Sequence, residues 1–100
     1  MIVTIFRSRL RPEYEKEYHE WAERTEALAR TIRGFVSIKT FYAGDGERVS
    51  IVEFETVEAH EEWRNHPVHL EAQRLGREKF YSGFKIQVLN DPRSYGFEAE

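Results

Sequence analysis

The strands of this chain have no consistently polar side. In "FVSIKTFY" the apolar residues Val36, Ile38 and Tyr42 stand against Phe35 and Phe41 on the other parity. In "RVSIVEFE" Val49 and Ile51 stand against Val52 and Phe54, and in "FKIQVLN" Phe84, Ile86 and Val88 stand against Leu89. A strand with one wet face alternates apolar and polar residues, because successive side chains point to opposite faces. These strands need cover on both faces. The chain's helical segments can cover only one, so the other is expected to meet a second copy of the chain, sheet on sheet.

The helical segments follow from a different period. Tyr14, Tyr18, Trp21, Thr25, Leu28 and Ile32 recur at steps of four and three, one face of a long amphipathic helix. Pro12 suits its first turn, where a missing N–H costs nothing, and Glu13, Glu15 and Glu17 favour the positive end of the helix dipole. Arg30 and Arg33 suit its last turn, and Gly34 suits the left-handed residue that ends it. A second helix is expected after a Thr56 cap. It breaks at Pro67, resumes with Pro67 in its first turn, and runs to about Phe80. The first ten residues read as a strand, Gly44-Asp45-Gly46 as the turn of a hairpin, and Gly83 as the end of the helical region before a last strand.

The order is therefore βαββαβ. Its simplest packing is an α+β, ferredoxin-like fold: a four-stranded antiparallel sheet with the helices on one face. Residues 1–100 are expected to form one domain with a core of about 2–91 and a tail, 92–100, that Tyr95 and Phe97 could anchor.

Composition narrows the function classes. The net charge of -3 comes from interspersed signs, without the basic stripe that nucleic acid or an anionic membrane would require. No segment approaches the roughly 20 apolar residues of a membrane span. "MIVTIFRSRL" lacks the pattern of a signal peptide, so a cytoplasmic protein is expected. With no cysteine there is no thiolate nucleophile and no thiolate metal site. No glycine-rich loop precedes a helix in a way that would cradle phosphate or a dinucleotide, and no metal site or bound cofactor is expected.

Chemistry is most concentrated in "EEWRNHPVHLEAQRLGREKFYSGF", from Glu61 to Phe84. Trp63 lies on the apolar side of a helix, where a large aromatic residue usually packs in the core. His66 precedes a proline at a helix break and could cap the backbone there. His69 and Gln73 are one turn apart and share a face. His19 and His60, beside Glu20 and Glu61, read as residues of solvated faces.

With its βαββαβ order, doubly apolar sheet and phrase "WRNHPVHLEAQRLGREKFYSGFKIQV", the sequence resembles the antibiotic biosynthesis monooxygenase family from Ile2 to about Leu89. The resemblance implies a dimeric α+β barrel, with a hydrophobic pocket in each subunit between the helices and the sheet. It implies one of two activities. One branch oxidises aromatic polyketides with O2 and neither metal nor prosthetic group; another binds and degrades haem. The haem-degrading branch uses an asparagine on the first strand, a tryptophan on the second helix and a haem-ligating histidine ten residues beyond it. Here Trp63 matches the tryptophan, but Ser8 stands near the asparagine position and Gln73 replaces the histidine. His69, one turn before Gln73, is the remaining candidate axial ligand.

The leading expectation is cofactor-independent oxygenation of an aromatic or quinol-type molecule by a homodimer. Trp63 would stack on the ring, Ser8 and Gln73 would hydrogen-bond it, Phe6 and Tyr81 would complete the wall, and His66 or His69 would accept a proton. The alternatives are a non-catalytic module that only holds a small molecule, and haem binding through His69.

Overall fold

The computed structural model describes residues 1–99. In chain order it contains β1 (Ile2–Leu10), a 3-10 turn (Pro12–Tyr14), α1 (Glu15–Thr31), β2 (Phe35–Tyr42), β3 (Arg48–Phe54), α2 (Val57–Arg64), α3 (Pro67–Leu75), a π-helical turn (Gly76–Phe80) and β4 (Tyr81–Asn90). The strands form one antiparallel sheet in the order β2-β3-β1-β4. This is the ferredoxin-like βαββαβ arrangement, with its second helical unit split in two. No helix among the described residues is long and apolar enough to cross a membrane.

Local chemistry accounts for the joints. Gly34, with φ of 101°, lets the chain turn out of α1 into β2, and Gly46, with φ of 92°, does the same in the β2–β3 hairpin. The Thr56 hydroxyl accepts the Ala59 N–H at 3.1 Å and caps α2. Pro67 breaks the helix as its ring requires, and His66 caps the new one: its Nδ1 accepts the Val68 N–H at 3.1 Å. Two boundaries differ from the sequence reading. The α-helix stops at Leu75 and widens into the π-helical turn, and β4 begins at Tyr81, so Gly83 lies within the strand, opposite Arg9. Tyr81 is thus the first residue of a strand.

The cross-strand register assigns most strand residues to a face. Ile2, Thr4, Phe6 and Ser8 of β1 stand opposite Phe54, Val52, Ser50 and Arg48 of β3, on the side that the helices cover. Val88, Ile86 and Phe84 of β4 continue this inner face beside Thr4, Phe6 and Ser8. A register shift between Phe35 and Ser37 puts Phe35 on the inner side together with Ile38, although the two are three residues apart. The outer face carries Val3, Ile5, Phe41, Val49, Ile51 and Leu89, with no helix over it. Ile38, an evident apolar residue in sequence, therefore belongs to the helix-covered core and not to the open face.

The core joins α1, α2 and the inner sheet through Ala29, Ile32, Val52, Phe54, Ala59 and Trp63. Phe54 is completely enclosed, and truncating such a side chain to alanine typically costs about 3–5 kcal/mol. The tail does not join this core. Tyr95 and Phe97 are 89% and 90% exposed, so neither anchors the segment to its own protomer.

Candidate functional site

The helices lie mainly over β2 and β3 and leave the inner face of β4 uncovered, with Phe84, Ile86 and Val88 all exposed. The space this leaves is a cavity of about 420 Å³, bounded by α1, α2, α3 and the inner sheet. Its wall is mostly apolar and aromatic; besides Glu23, Glu26, Arg64, Arg77 and the hydroxyl pair Thr40–Ser50, three sets of polar side chains interrupt it.

The first set is centred on α2. Helix geometry turns His60 inward beside Trp63, and His60 is only 4% exposed. Its Nε2 lies 3.0 Å from the Oγ1 of Thr4, a buried residue of β1, and its Nδ1 lies 3.4 Å from Glu61 Oε1. With the ring proton on Nδ1, facing the carboxylate, Nε2 accepts the Thr4 hydroxyl. Both Thr4 and His60 line the cavity, whereas Glu61 reaches solvent. A hydroxyl, an imidazole and a carboxylate are thus in series from the cavity wall to the surface.

The second set is on α3. His69 Nδ1 lies 2.8 Å from Gln73 Nε2, and the same amide nitrogen lies 3.3 Å from the Arg64 carbonyl oxygen. A carbonyl oxygen only accepts, so this atom of Gln73 is the donor and His69 Nδ1 is the lone pair; the imidazole proton is on Nε2. The His69 ring meets Trp63 edge to face at 4.3 Å between centroids. Burial, and next the Arg64 charge, lowers its pKa from 6.5 to about 4, so the ring is neutral near pH 7. His69 is therefore a hydrogen-bond donor on the cavity wall and a weak base.

The third set lies at the hairpin end of the cavity. Arg48, 6% exposed, donates from Nε to the Tyr42 hydroxyl at 3.2 Å and from Nη1 to the Tyr18 hydroxyl. Its guanidinium lies over both phenol rings, 4.7 Å from the centre of Tyr18 and 5.4 Å from that of Tyr42. Tyr81 packs edge to face on Tyr18 at 5.8 Å. Burial raises the pKa of both Tyr18 and Tyr81, so each remains a neutral phenol.

The residues singled out from sequence divide by position. Trp63, Gln73, His69, Phe6 and Tyr81 line the cavity together. Trp63 is nevertheless a core residue as well: it is buried, tilts against Phe54 at 5.4 Å, and donates Nε1–H to the Thr25 carbonyl at 2.9 Å. Ser8 is buried beneath the site and is not in its wall. It stands opposite Arg48 in the sheet, and its Oγ has no hydrogen-bond partner among the described residues. His66 is also outside the cavity, its Nδ1 committed to the cap of α3.

Sequence reading passed over Thr4, His60, Arg48 and Tyr42. His60 looked solvated because Glu61 adjoins it, yet it sits three residues before Trp63 and therefore on the same helical face. That spacing was the available signal. For Thr4 and Arg48, inner-face parity was hidden among strands that are apolar on both sides.

Among the described residues no group of three His, Asp or Glu side chains converges in a way that could hold a metal ion. The residues also do not fit haem. An iron-ligating histidine normally donates its other ring N–H to a neighbour. His69 would have to bind iron through Nε2 with its proton on Nδ1, the reverse of the tautomer that Gln73 fixes.

A family model described as antibiotic biosynthesis monooxygenase matches residues 1–75. The chain belongs to that family. The matched span contains Thr4, Arg48, His60, Trp63 and His69 and ends before the π-helical turn and β4. YqjZ, an uncharacterised protein of Bacillus subtilis (strain 168), is 28% identical over 91 residues, covering 91% of this chain and 80% of that protein. Among solved structures, Rv0793 from Mycobacterium tuberculosis superposes with a TM-score of 0.80 at 20% identity, covering 95% of this chain and 98% of that one. SnoaB from Streptomyces nogalater, a cofactor-independent oxygenase, superposes with a TM-score of 0.74 at 16% identity, covering 93% of this chain and 94% of that one. These structures share the fold.

Proposed function

We propose that the cavity binds a phenolic or quinol-type aromatic molecule and promotes its oxygenation by O2 without a bound cofactor, with His60 as the proton acceptor. The observation that carries this reading is the buried Thr4–His60 pair, 3.0 Å apart, in the wall of an aromatic-lined cavity. Family membership and the fold shared with a cofactor-independent oxygenase support it.

The chemistry asks little of the protein. An electron-rich phenol or anthrone becomes able to reduce O2 once a proton is removed. For a ring CH2 group, one O2 is taken up; one oxygen atom stays as a carbonyl and the other leaves as water with the two hydrogens. The protein must exclude solvent, orient the ring and accept a proton. Trp63 and Phe6 supply the faces against which a ring can lie. The proton passes to the Thr4 hydroxyl as that hydroxyl gives its own to His60 Nε2, and the Glu61 carboxylate steadies the imidazolium. His69 Nε2–H is available to a ligand oxygen as a donor. His66, which caps α3, has no part in this scheme.

Oxygen uptake in an electrode cell, with a panel of hydroquinones and anthrone-type phenols, tests the reading. Uptake should match product formed mole for mole, persist in chelator, and fall in His60→Gln. Tight binding across the panel without uptake would replace it with the reading of a non-catalytic holder.

We also infer a homodimer formed through the outer sheet face. Its support is the row Val3, Ile5, Val49 and Ile51, apolar, half-buried and with no helix over it, in strands whose inner side is already packed.

A further inference from the structure

Among the described residues Arg48 is a buried charge with no opposite charge to meet it. Arginine is almost never enclosed in a protein without a carboxylate, a phosphate or a comparable acceptor set. Arg48 is 6% exposed, yet no carboxylate of the described residues lies within 4.0 Å of it, although eight pairs of permanently charged groups form elsewhere among them. Its partners are phenols. Tyr18 is held neutral by burial, and Tyr42 contributes a hydroxyl at 3.2 Å and a ring face. Together these use Nε and Nη1 of the guanidinium and leave Nη2 without a partner of its own among the described residues. Arg48 is part of the cavity wall, and the positive charge is therefore presented to whatever occupies the cavity.

The strand register gives Arg48 no charged neighbour within the sheet, and the carboxylates that share the cavity wall, Glu23 and Glu26 of α1, form no ion pair with it. The neighbours of Arg48 across the sheet on the inner face are Ser8 and Tyr42, both uncharged. Beyond Ser8 lies Phe84. A hydrophobic residue at position 48 would pack against these aromatics at no electrostatic cost, and a lysine would not lie flat between two phenol rings.

We infer that the ligand of this cavity carries an oxygen anion on its aromatic frame, and that Arg48, held by Tyr18 and Tyr42, is the residue that selects it. The inference rests on the proposed reading of the cavity as an aromatic site and names the class of molecule it takes. A ring carboxylate and an ionised phenol both present this chemistry. A ligand bound this way would lie with its ring beside Trp63 and its anion toward the hairpin end. A charge-assisted hydrogen bond in so enclosed a site favours the anion over a neutral analogue by about tenfold or more.

The test uses redox-inert probes without oxygen, so that binding is separated from turnover. Quenching of tryptophan fluorescence at pH 7, which Trp63 and Trp21 in the wall would report, compares 1-naphthoate with 1-naphthamide. The wild-type protein should bind the carboxylate at least about tenfold more tightly than the amide. In Arg48→Gln the two should bind alike, the loss falling mainly on the carboxylate; Arg48→Lys should retain part of the preference. The coloured anion of 4-nitrophenol examines the second source, since bound dye should remain ionised at a pH where free dye is half protonated. Preference in either arm supports the assignment and says which anion the site accepts. Equal binding of naphthoate and naphthamide, together with no shift in the dye, overturns it and leaves the aromatic cavity standing. A preference that survives Arg48→Gln overturns the role of Arg48. If no probe binds, the aromatic reading falls as well. Should Arg48→Gln fail to fold, the wild-type ratio and Arg48→Lys still decide the question.

Discussion

Gln73 Nε2 lies 2.8 Å from His69 Nδ1 and 3.3 Å from the Arg64 carbonyl oxygen, and these two contacts together fix the tautomer of His69. A residue that resembles a catalytic base in sequence is thereby a proton donor in the fold. Its energetic signature is a dependence of stability on pH.

His69 has a folded pKa of about 4 against an ordinary value of 6.5, lowered first by burial and then by Arg64, His60 and His66. Between these values the unfolded chain binds the proton and the folded chain does not, so stability rises with pH. The contribution is fully present above about pH 6.5 and is lost as the pH falls toward 4, by up to about 3 kcal/mol. Urea unfolding of wild type and His69→Gln at pH 7 and pH 4.5 isolates the effect from that of other groups. The variant should lose clearly less stability than wild type over this interval. Parallel losses would mean that His69 is solvated in the folded protein.

Thr4→Val keeps the shape of the side chain and removes the hydroxyl, leaving His60 Nε2 buried without a partner. The cost in stability should be about 1–3 kcal/mol. Under the proposed mechanism, oxygen uptake should also fall by about 100-fold or more, because the path from ligand to base is cut. His60→Gln should lose activity to a similar degree while ligand affinity changes little. Uptake at the wild-type rate in both variants would remove His60 from the chemistry.

How far the sequence could be read follows from which signals are periodic. The α1 stripe from Tyr14 to Ile32, the Thr56 cap, the break at Pro67 and the glycine at position 34 each have a local physical cause, and each is where the pattern put it. His69 and Gln73 share the cavity wall because they are one turn apart on α3, and the break at Pro67 brings that face against Trp63 of α2. Sheet residues were harder to assign. Strands that are apolar on both parities do not say which parity faces the helices, and the irregularity after Phe35 changes the parity partway along β2. That ambiguity hid Thr4 and Arg48, and it left the face of Ile38 undecided. The π-helical turn has no simple periodic signature, so the start of β4 was placed too late.

Gly76 lets that turn approach Tyr81 closely. A Cβ at Gly76 would lie 2.6 Å from Tyr81 Cε2 and 2.9 Å from Cδ2, and the three atoms nearest to it all belong to the Tyr81 ring. Gly76→Ala should gain up to about 1 kcal/mol from helix propensity and lose about 1–3 kcal/mol from overpacking, a net destabilisation. Because Tyr81 lines the cavity, naphthoate affinity should fall too. Combining it with Tyr81→Ala should abolish the penalty, so that Gly76→Ala becomes neutral or stabilising in that background. An unchanged penalty would place the clash elsewhere.

The outer sheet face gives the last prediction. Ile51 sits at its centre, opposite Ile5 on β1 and Lys39 on β2, and points away from the helices. In an isolated protomer its side chain is only half-buried, so a carboxylate there could remain hydrated and the fold should survive Ile51→Glu. Across a sheet-on-sheet interface the same carboxylate would be removed from water, with its counterpart from the second copy nearby and only Lys39 beside it to offset the charge, a cost of several kcal/mol. Wild type should therefore sediment as a dimer at micromolar concentration, and Ile51→Glu as a folded monomer. Ile38→Glu, on the helix-covered side, should instead destabilise the protomer, since Ile38 is partly buried where it packs against the core and lines the cavity. The contrast between the two variants is diagnostic, because a general loss of stability would affect both alike. A wild-type monomer, or an Ile51→Glu dimer as tight as wild type, would show that the open face serves some purpose other than self-association.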